Sequence, residues 1–192
     1  MAFLSEDAIA ALGFARVGRD VKISDKASLY HPERISIADH ARIDDFCILS
    51  AGRSGIVVGR YVHIACYCSL IGDERIELDD FSGLSSRVAV YSSSDDFSGG
   101  GLAHPTVPED VRQVFHAPVI LRRHALVGAG SVILPGVTLG QGSSVGALSL
   151  VREDLDEFWM YAGIPARKLR PRKKDLLALE AEVLKRASGQ AR

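Results

Sequence analysis

The chain is poor in aromatic bulk and in cysteine: 7% of its 192 residues are Phe, Trp or Tyr, and three are Cys. So few rings exclude a core organised around large aromatic clusters. Cys47, Cys66 and Cys68 are odd in number and do not make a disulfide framework. Charge of one sign is lacking too. With 23 Lys+Arg against 24 Asp+Glu, the formal net charge of −1 leaves no overall field to draw in nucleic acid or acidic lipid. No apolar run approaches the ~18 residues of a membrane span. The opening Met-Ala-Phe-Leu-Ser-Glu-Asp carries acids where a secretion signal needs bases. The expectation is a cytoplasmic protein with no nucleic-acid partner and no membrane span.

What the chain does have is an aliphatic residue at every sixth position. The series runs Val17, Ile23, Leu29; Ile37, Ile43, Leu49; Val58, Ile64, Leu70; Leu78, Leu84, Val90; Leu121, Val127, Ile133; and Leu139, Val145, Val151. Two positions before most members stands a small or β-branched residue, such as Val21, Ala41, Cys47, Val62, Cys68, Val88, Ala125, Ser131 or Ser149. In a strand these two positions face the same side. Each hexad therefore supplies one short strand with one small and one large inward residue, and three hexads close a triangular turn. Stacked turns bury one another's edges as a parallel β-helix of about six triangular coils, an all-β fold.

The phase slips only after every third hexad, so all insertions leave one corner of the prism. The steps are 8 from Leu29 to Ile37, 9 from Leu49 to Val58, 8 from Leu70 to Leu78 and 31 from Val90 to Leu121. A loop as long as the last is ordinarily functional or disordered. Ser5-Glu6-Asp7 before Ala8, Ile9 and Leu12 reads as a short capped helix. Lys173 to Arg186, with Leu176, Leu177, Leu179, Val183 and Leu184, reads as an amphipathic C-terminal helix. The organisation is a cap over 1–16, repeats over 17–157 with an insertion at about 92–118, and a basic segment plus helix over 158–192.

Val127-Gly-Ala-Gly-Ser-Val-Ile-Leu-Pro-Gly-Val-Thr-Leu-Gly140, Val145-Gly-Ala147 and Gly163-Ile-Pro-Ala166 give these repeats a specific likeness. They resemble the hexapeptide-repeat acyltransferases, the left-handed β-helix family, and most of all its galactoside and maltose O-acetyltransferases and surface-polysaccharide sugar acetyltransferases. The resemblance implies acetyl (or short acyl) transfer from acetyl-CoA to a hydroxyl or amine of a sugar or nucleotide sugar, in surface-polysaccharide synthesis. It also implies a homotrimer, with the co-substrate lying between adjacent prisms and a loop histidine as general base. The chemistry asks for such parts: a base near neutral pKa to take the acceptor's proton, and N–H donors for the thioester oxygen.

Of six histidines, His104 fits the base best. It lies in the long insertion after Gly99-Gly100-Gly101 and, like the family's base, is followed by Pro105. By ungapped hexad count, however, the family's histidine position falls on Asp95. His116, near the loop's return, and outward-facing His63 are the other bases to weigh, and Asp95 or Asp96 would orient one. Gly128, Ala129, Gly146 and Ala147 follow inward positions. They suit a pantetheine arm against the wall, and equally the tight corners of the prism. Arg152, Arg167 and Lys168 suit the CoA phosphates. Glu153 stands where relatives carry Lys, and the run from Arg167 to Lys174 also reads as a solvated basic stretch. Cys47 and Cys68 read as core; Cys66 faces outward without a base partner.

Two other functions fit the same repeat. A zinc carbonic anhydrase needs three His on neighbouring coils, but His40 and His124 fall on equivalent corners of the second and fifth, so no metal site is expected. A non-catalytic β-helix would serve as a binding module.

Overall fold

Hexads of alternating inward and outward residues become two- to four-residue strands, and a computed structural model describing residues 2–189 stacks them into a three-sided solenoid. Two faces carry six parallel strands each. The third carries seven parallel strands followed by one antiparallel strand, so six coils close and a seventh begins.

Every expected inward position meets its counterpart one coil away. On the first face Val17, Ile37, Val58, Leu78, Leu121 and Leu139 are aligned. On the second the file is Ile23, Ile43, Ile64, Leu84, Val127, Val145 and Tyr161. On the third it is Leu29, Leu49, Leu70, Val90, Ile133 and Val151. Nearly all are fully buried, each adding about 1.5–3 kcal/mol of apolar burial. Val17 departs from this and is 37% exposed, because the first coil has no neighbour on one side. The helix Glu6–Ala11, capped by the Ser5 hydroxyl, covers that end only in part.

Two corners turn through residues with φ near +60°: Asp20, His40, Tyr61, Phe81 and His124 at one, Phe46, Tyr67 and Arg87 at the other. That conformation costs a side-chain-bearing residue roughly 1–2 kcal/mol. Stacking offsets it. The His40, Tyr61, Phe81 and His124 rings form one ladder with centroids 4.6, 4.8 and 5.3 Å apart. Phe46 and Tyr67 stack at 4.9 Å. Hexad counting gives no sign of these ladders, which lie outside the repeat's inward positions.

All the insertions leave the remaining corner, between third and first faces. The longest forms a hairpin, Ser93–Asp95 antiparallel to Val114–His116. The C-terminal helix Leu176–Gly189 folds back on the prism. Its Glu180 is buried against His124 Nε2 at 2.6 Å and pairs with Arg123.

Candidate active site

The residues just after the second face's inward file form a column along the prism axis. Backbone hydrogen bonds stack Asp44, Ala65, Ser85, Gly128, Gly146 and Ala162 in adjacent coils, through Asp44 N to Ile64 O, Ala65 N to Leu84 O, Ser85 N to Val127 O, Gly128 N to Val145 O, and Gly146 N to Tyr161 O. Beside them run Asp45, Cys66, Ser86, Ala129, Ala147 and Gly163. The column carries carboxylates at Asp44 and Asp45, hydroxyls at Ser85 and Ser86, and only Gly or Ala from Gly128 onward. A Cβ on Gly128 would lie 2.5 Å from Ala147 N, so glycine is required there for the coils to close. The same absence leaves a bare wall. The closure reading is thus the one observed at Gly128, and Ala129 and Ala147 are exposed on the wall it leaves.

At one end the column reaches the top of the prism. There Arg152, Arg167 and Lys168 line one pocket, together with Glu153, Asp154 and Tyr161. The structure therefore brings together the three cations singled out in the sequence. Arg167 and Lys168 lie on the exposed edge strand Arg167–Pro171. Lys168 Nζ is 2.6 Å from Asp156 and 3.8 Å from the Trp159 ring centroid, and it holds the Asp156 carboxyl below the usual carboxylate range. Arg152 Nε is 3.5 Å from Glu153, so the acid found in place of a lysine still lies at the pocket. Arg172 belongs elsewhere. Its guanidinium donates to the carbonyls of His124, Gly142 and Ser143 and fastens the C-terminal segment.

At the other end the column opens into a groove bordered by Tyr61, His63, Ala65, Phe81, Gly83, Ser85, Ser86 and Leu126. His63 points outward as expected, and its Nε2 lies 2.8 Å from Asp44 Oδ2. Arg42 Nε donates to the other oxygen of Asp44 at 2.6 Å. Burial pushes the Asp44 carboxyl up, but hydrogen bonds from Arg42 and His63, with their charges, outweigh it and hold it below the usual range. Hexad reading missed Asp44. Its signal was its place, directly after inward Ile43 and in file with Gly128 and Gly146. Cys66 Sγ meets Ser86 Oγ at 3.3 Å beside this groove.

The hairpin carries the other expected groups, dispersed. His116 Nδ1 is 2.8 Å from Ser93 Oγ, which also accepts from Asp73 N–H. His104 is exposed with Nδ1 2.7 Å from Thr106 Oγ1. The expectation that Asp95 or Asp96 would hold His104 is corrected here. Thr106 engages its Nδ1, and Asp96 is spent on the hydroxyl and amide of Ser98 and the amide of Gly101, which keep its pKa low. Asp95 is half-buried at the hairpin's root, and its carboxylate has no hydrogen-bond partner among the described residues. Among those residues, no three His, Cys, Asp or Glu side chains gather as a metal site. His40 and His124 share a corner but are separated by Tyr61 and Phe81.

No protein-family model matches the chain. It is 44% identical over 181 residues, 94% of each chain, to a dTDP-4-amino-4,6-dideoxy-D-glucose acyltransferase of Escherichia coli. It is 46% identical, with a TM-score of 0.91, to AntD, an N-acyltransferase from Bacillus cereus solved with dTDP and 3-hydroxybutyryl-CoA. That alignment covers 97% of this chain and 98% of the other. A maltose O-acetyltransferase from Clostridium difficile shares the fold at a TM-score of 0.60 and 19% identity, over 88% of this chain and 75% of the other.

Proposed function

The chain belongs to the hexapeptide-repeat acyltransferases, and it is a CoA-dependent acyltransferase of sugars; we propose that its own acceptor is the amine of a dTDP-linked 4-amino-4,6-dideoxyhexose destined for a surface polysaccharide. The observation that carries this reading is the continuous bare column between a cationic pocket and a polar groove. Phosphates of CoA pair with Arg152, Arg167 and Lys168. The pantetheine arm passes Gly146, Ala147, Gly128 and Ala129. The thioester then arrives near Ser85 and Ser86, where the acceptor nitrogen attacks it.

The reaction moves two protons off the acceptor nitrogen. The ammonium first gives up one to solvent, and the nitrogen then attacks the thioester carbonyl carbon. As the C–N bond forms the nitrogen passes its second surplus proton to the base, which delivers it to the thiolate of CoA as the C–S bond breaks. Asp95 suits the acceptor's ammonium because its carboxylate is unpaired and half-buried. His104 is the proposed proton acceptor: Thr106 engages Nδ1 and fixes the ring, leaving Nε2 exposed. The hairpin leaves a different corner from the column, so the reading includes a homotrimer in which one protomer's hairpin faces the next one's column. Since CoA and nucleotide sugars are cytoplasmic metabolites, cytoplasmic action is part of the proposal.

The test is thiol release from acyl-CoA, with mass analysis of the product. Turnover is expected with dTDP-4-amino-4,6-dideoxyglucose and not with dTDP-glucose, which lacks the amine. Turnover of the hydroxyl sugar would make the enzyme an O-acyltransferase, and turnover of neither would remove the acceptor class. Light scattering should give three times the protomer mass.

A further inference from the structure

The C-terminal helix is held to the prism by a polar group. Of its described side chains Glu180 alone is buried, Leu176 and Leu184 are half-buried, and Leu177, Leu179 and Val183 are exposed. Glu180 accepts from His124 Nε2 at 2.6 Å and pairs with Arg123. As an adhesive this contact is poor. The cost of taking such groups out of water offsets most of what their pairing gains. Arg123 Nε is also buried there, with no hydrogen-bond partner among the described residues. Directional bonds do, however, specify a position in a way that apolar contact does not.

That position is one end of the ring ladder. Arg172, in the segment leading to the helix, donates to the His124 carbonyl at 2.8 Å, and Glu180 holds the ring of the same residue. The His124 ring stacks on Phe81 at 5.3 Å and 27°. This step is looser than those from His40 to Tyr61, at 4.6 Å and 19°, and from Tyr61 to Phe81, at 4.8 Å and 13°. It is also the step that crosses the long insertion. Arg123, the second partner of Glu180, lies 5.8 Å from the centroid of the same Phe81 ring. Both groups that Glu180 holds therefore bear on Phe81, at the ladder's weakest joint.

Phe81 in turn borders the groove, together with Tyr61, Ser85 and Ser86. Gly83 stands between Phe81 and Ser85 on the same side of the strand, flanked by inward Ser82 and Leu84. With no side chain there, the floor between ring and serine is open. CoA reaches Ser85 along the column, which leaves the ring end of the groove to the acceptor.

We propose that Glu180 is a positioning residue for the acceptor. Through His124 and Arg123 it sets the Phe81 ring, and so the wall against which the acceptor rests, without touching either substrate. This rests on the proposed acyl transfer to an aminosugar, and it adds a role for the C-terminal helix.

The experiment measures kcat and both KM values, with dTDP-4-amino-4,6-dideoxyglucose as acceptor and acetyl- or 3-hydroxybutyryl-CoA as donor. Glu180→Ala should raise the acceptor KM about tenfold, with the acyl-CoA KM and kcat within about twofold of wild type. Glu180→Gln keeps an acceptor for His124 and loses the charge facing Arg123, so it should raise the acceptor KM by only about threefold. Phe81→Leu should raise the same constant, and Glu180→Ala added to it should do nothing further, because the ring it sets is gone. Should Glu180→Ala fail to fold, Glu180→Gln alone and in the Phe81→Leu background decides. An unchanged acceptor KM, a parallel rise in both KM values, or effects of the two sites that multiply would overturn the proposal. So would a lowered melting temperature with both KM values intact, the mark of a merely structural contact. A wild type that turns over neither donor would instead remove the underlying activity, a failure visible before any variant is made.

Discussion

Between Val17 and Val90 the chain is governed by stacking, and between Val90 and Leu121 it is not. In the prism each inward side chain touches copies of its own position one coil above and below, so residue class follows hexad position. In the hairpin nothing repeats. Asp96 binds its own turn, His104 its neighbour Thr106, and His116 the facing Ser93. The body thus spends its residues on cohesion, and the excursion is left with groups free for chemistry. The two regions should answer to mutation in opposite ways, stability in one and turnover in the other.

The sharpest test of that division lies in the body. Ile64 is fully buried in the second face, in file with Ile43 and Leu84. Ile64→Asp places an unpaired charge in a layer with no polar partner. It should cost more than ~4 kcal/mol and abolish cooperative unfolding near the wild-type temperature. A variant that melts like wild type would break the stacking argument at its strongest point.

The excursion should behave the other way round. Asp95→Asn and His104→Ala should each lower kcat by about 10²-fold or more, while the melting temperature stays within a degree or two of wild type. His116→Ala should do less, since its partner is a structural serine. If His104→Ala turns over normally while Asp95→Asn does not, proton transfer belongs to Asp95. The hexad count that placed the family's histidine position on Asp95 would then be the correct guide.

That ambiguity shows what a repeat makes legible. The coils, their three faces, the shared corner of the insertions and both helices could be read because each rests on a local period or a cap. The three cations at the end pocket could be read from the family pattern. Asp44, Gly83 and the ring ladder His40–Tyr61–Phe81–His124 could not. Their meaning comes from neighbours about 20 residues away or, across the long insertion, 43, and each is unremarkable within its own hexad. The chain does hold a weak trace of such cross-coil pairing. Gly18-Arg19, Gly52-Arg53 and Gly59-Arg60 are each followed 20 residues after the arginine by an aspartate, Asp39, Asp73 and Asp80, which accepts from that arginine's backbone N–H.

The end pocket lies between the two regimes, being built on the fold's edge but directed at a ligand. Arg167→Ala with Lys168→Ala should weaken CoA binding about tenfold, with little loss of stability because both are exposed. Dephospho-CoA should lose less affinity than CoA. Equal losses in calorimetry would place the two cations away from the 3′-phosphate.

The smallest effect concerns pH, and it separates the regions by their carboxylates. Asp39 accepts from the Arg19 backbone N–H at 3.0 Å and from its guanidinium at 3.2 Å. The backbone bond chiefly, with the guanidinium's help, holds the carboxyl below its usual range against a smaller opposing effect of burial. A carboxyl depressed in the folded state stabilises it above the unfolded pKa of about 3.9, and that contribution is lost as pH falls through the lower folded value. Melting temperature should therefore be flat from pH 7 to about 5 and fall below about pH 4. Asp39→Asn should remove part of that acid slope and lower the melting temperature at pH 7 by only about 1–3 °C, since the pair is partly exposed. Asp95 has no such partner to lose. Asp95→Asn should leave the acid limb of the melting curve in place while changing the pH profile of kcat. An acid slope that followed Asp95 rather than Asp39 would mean that the hairpin helps to hold the fold, and the division between body and excursion would fail.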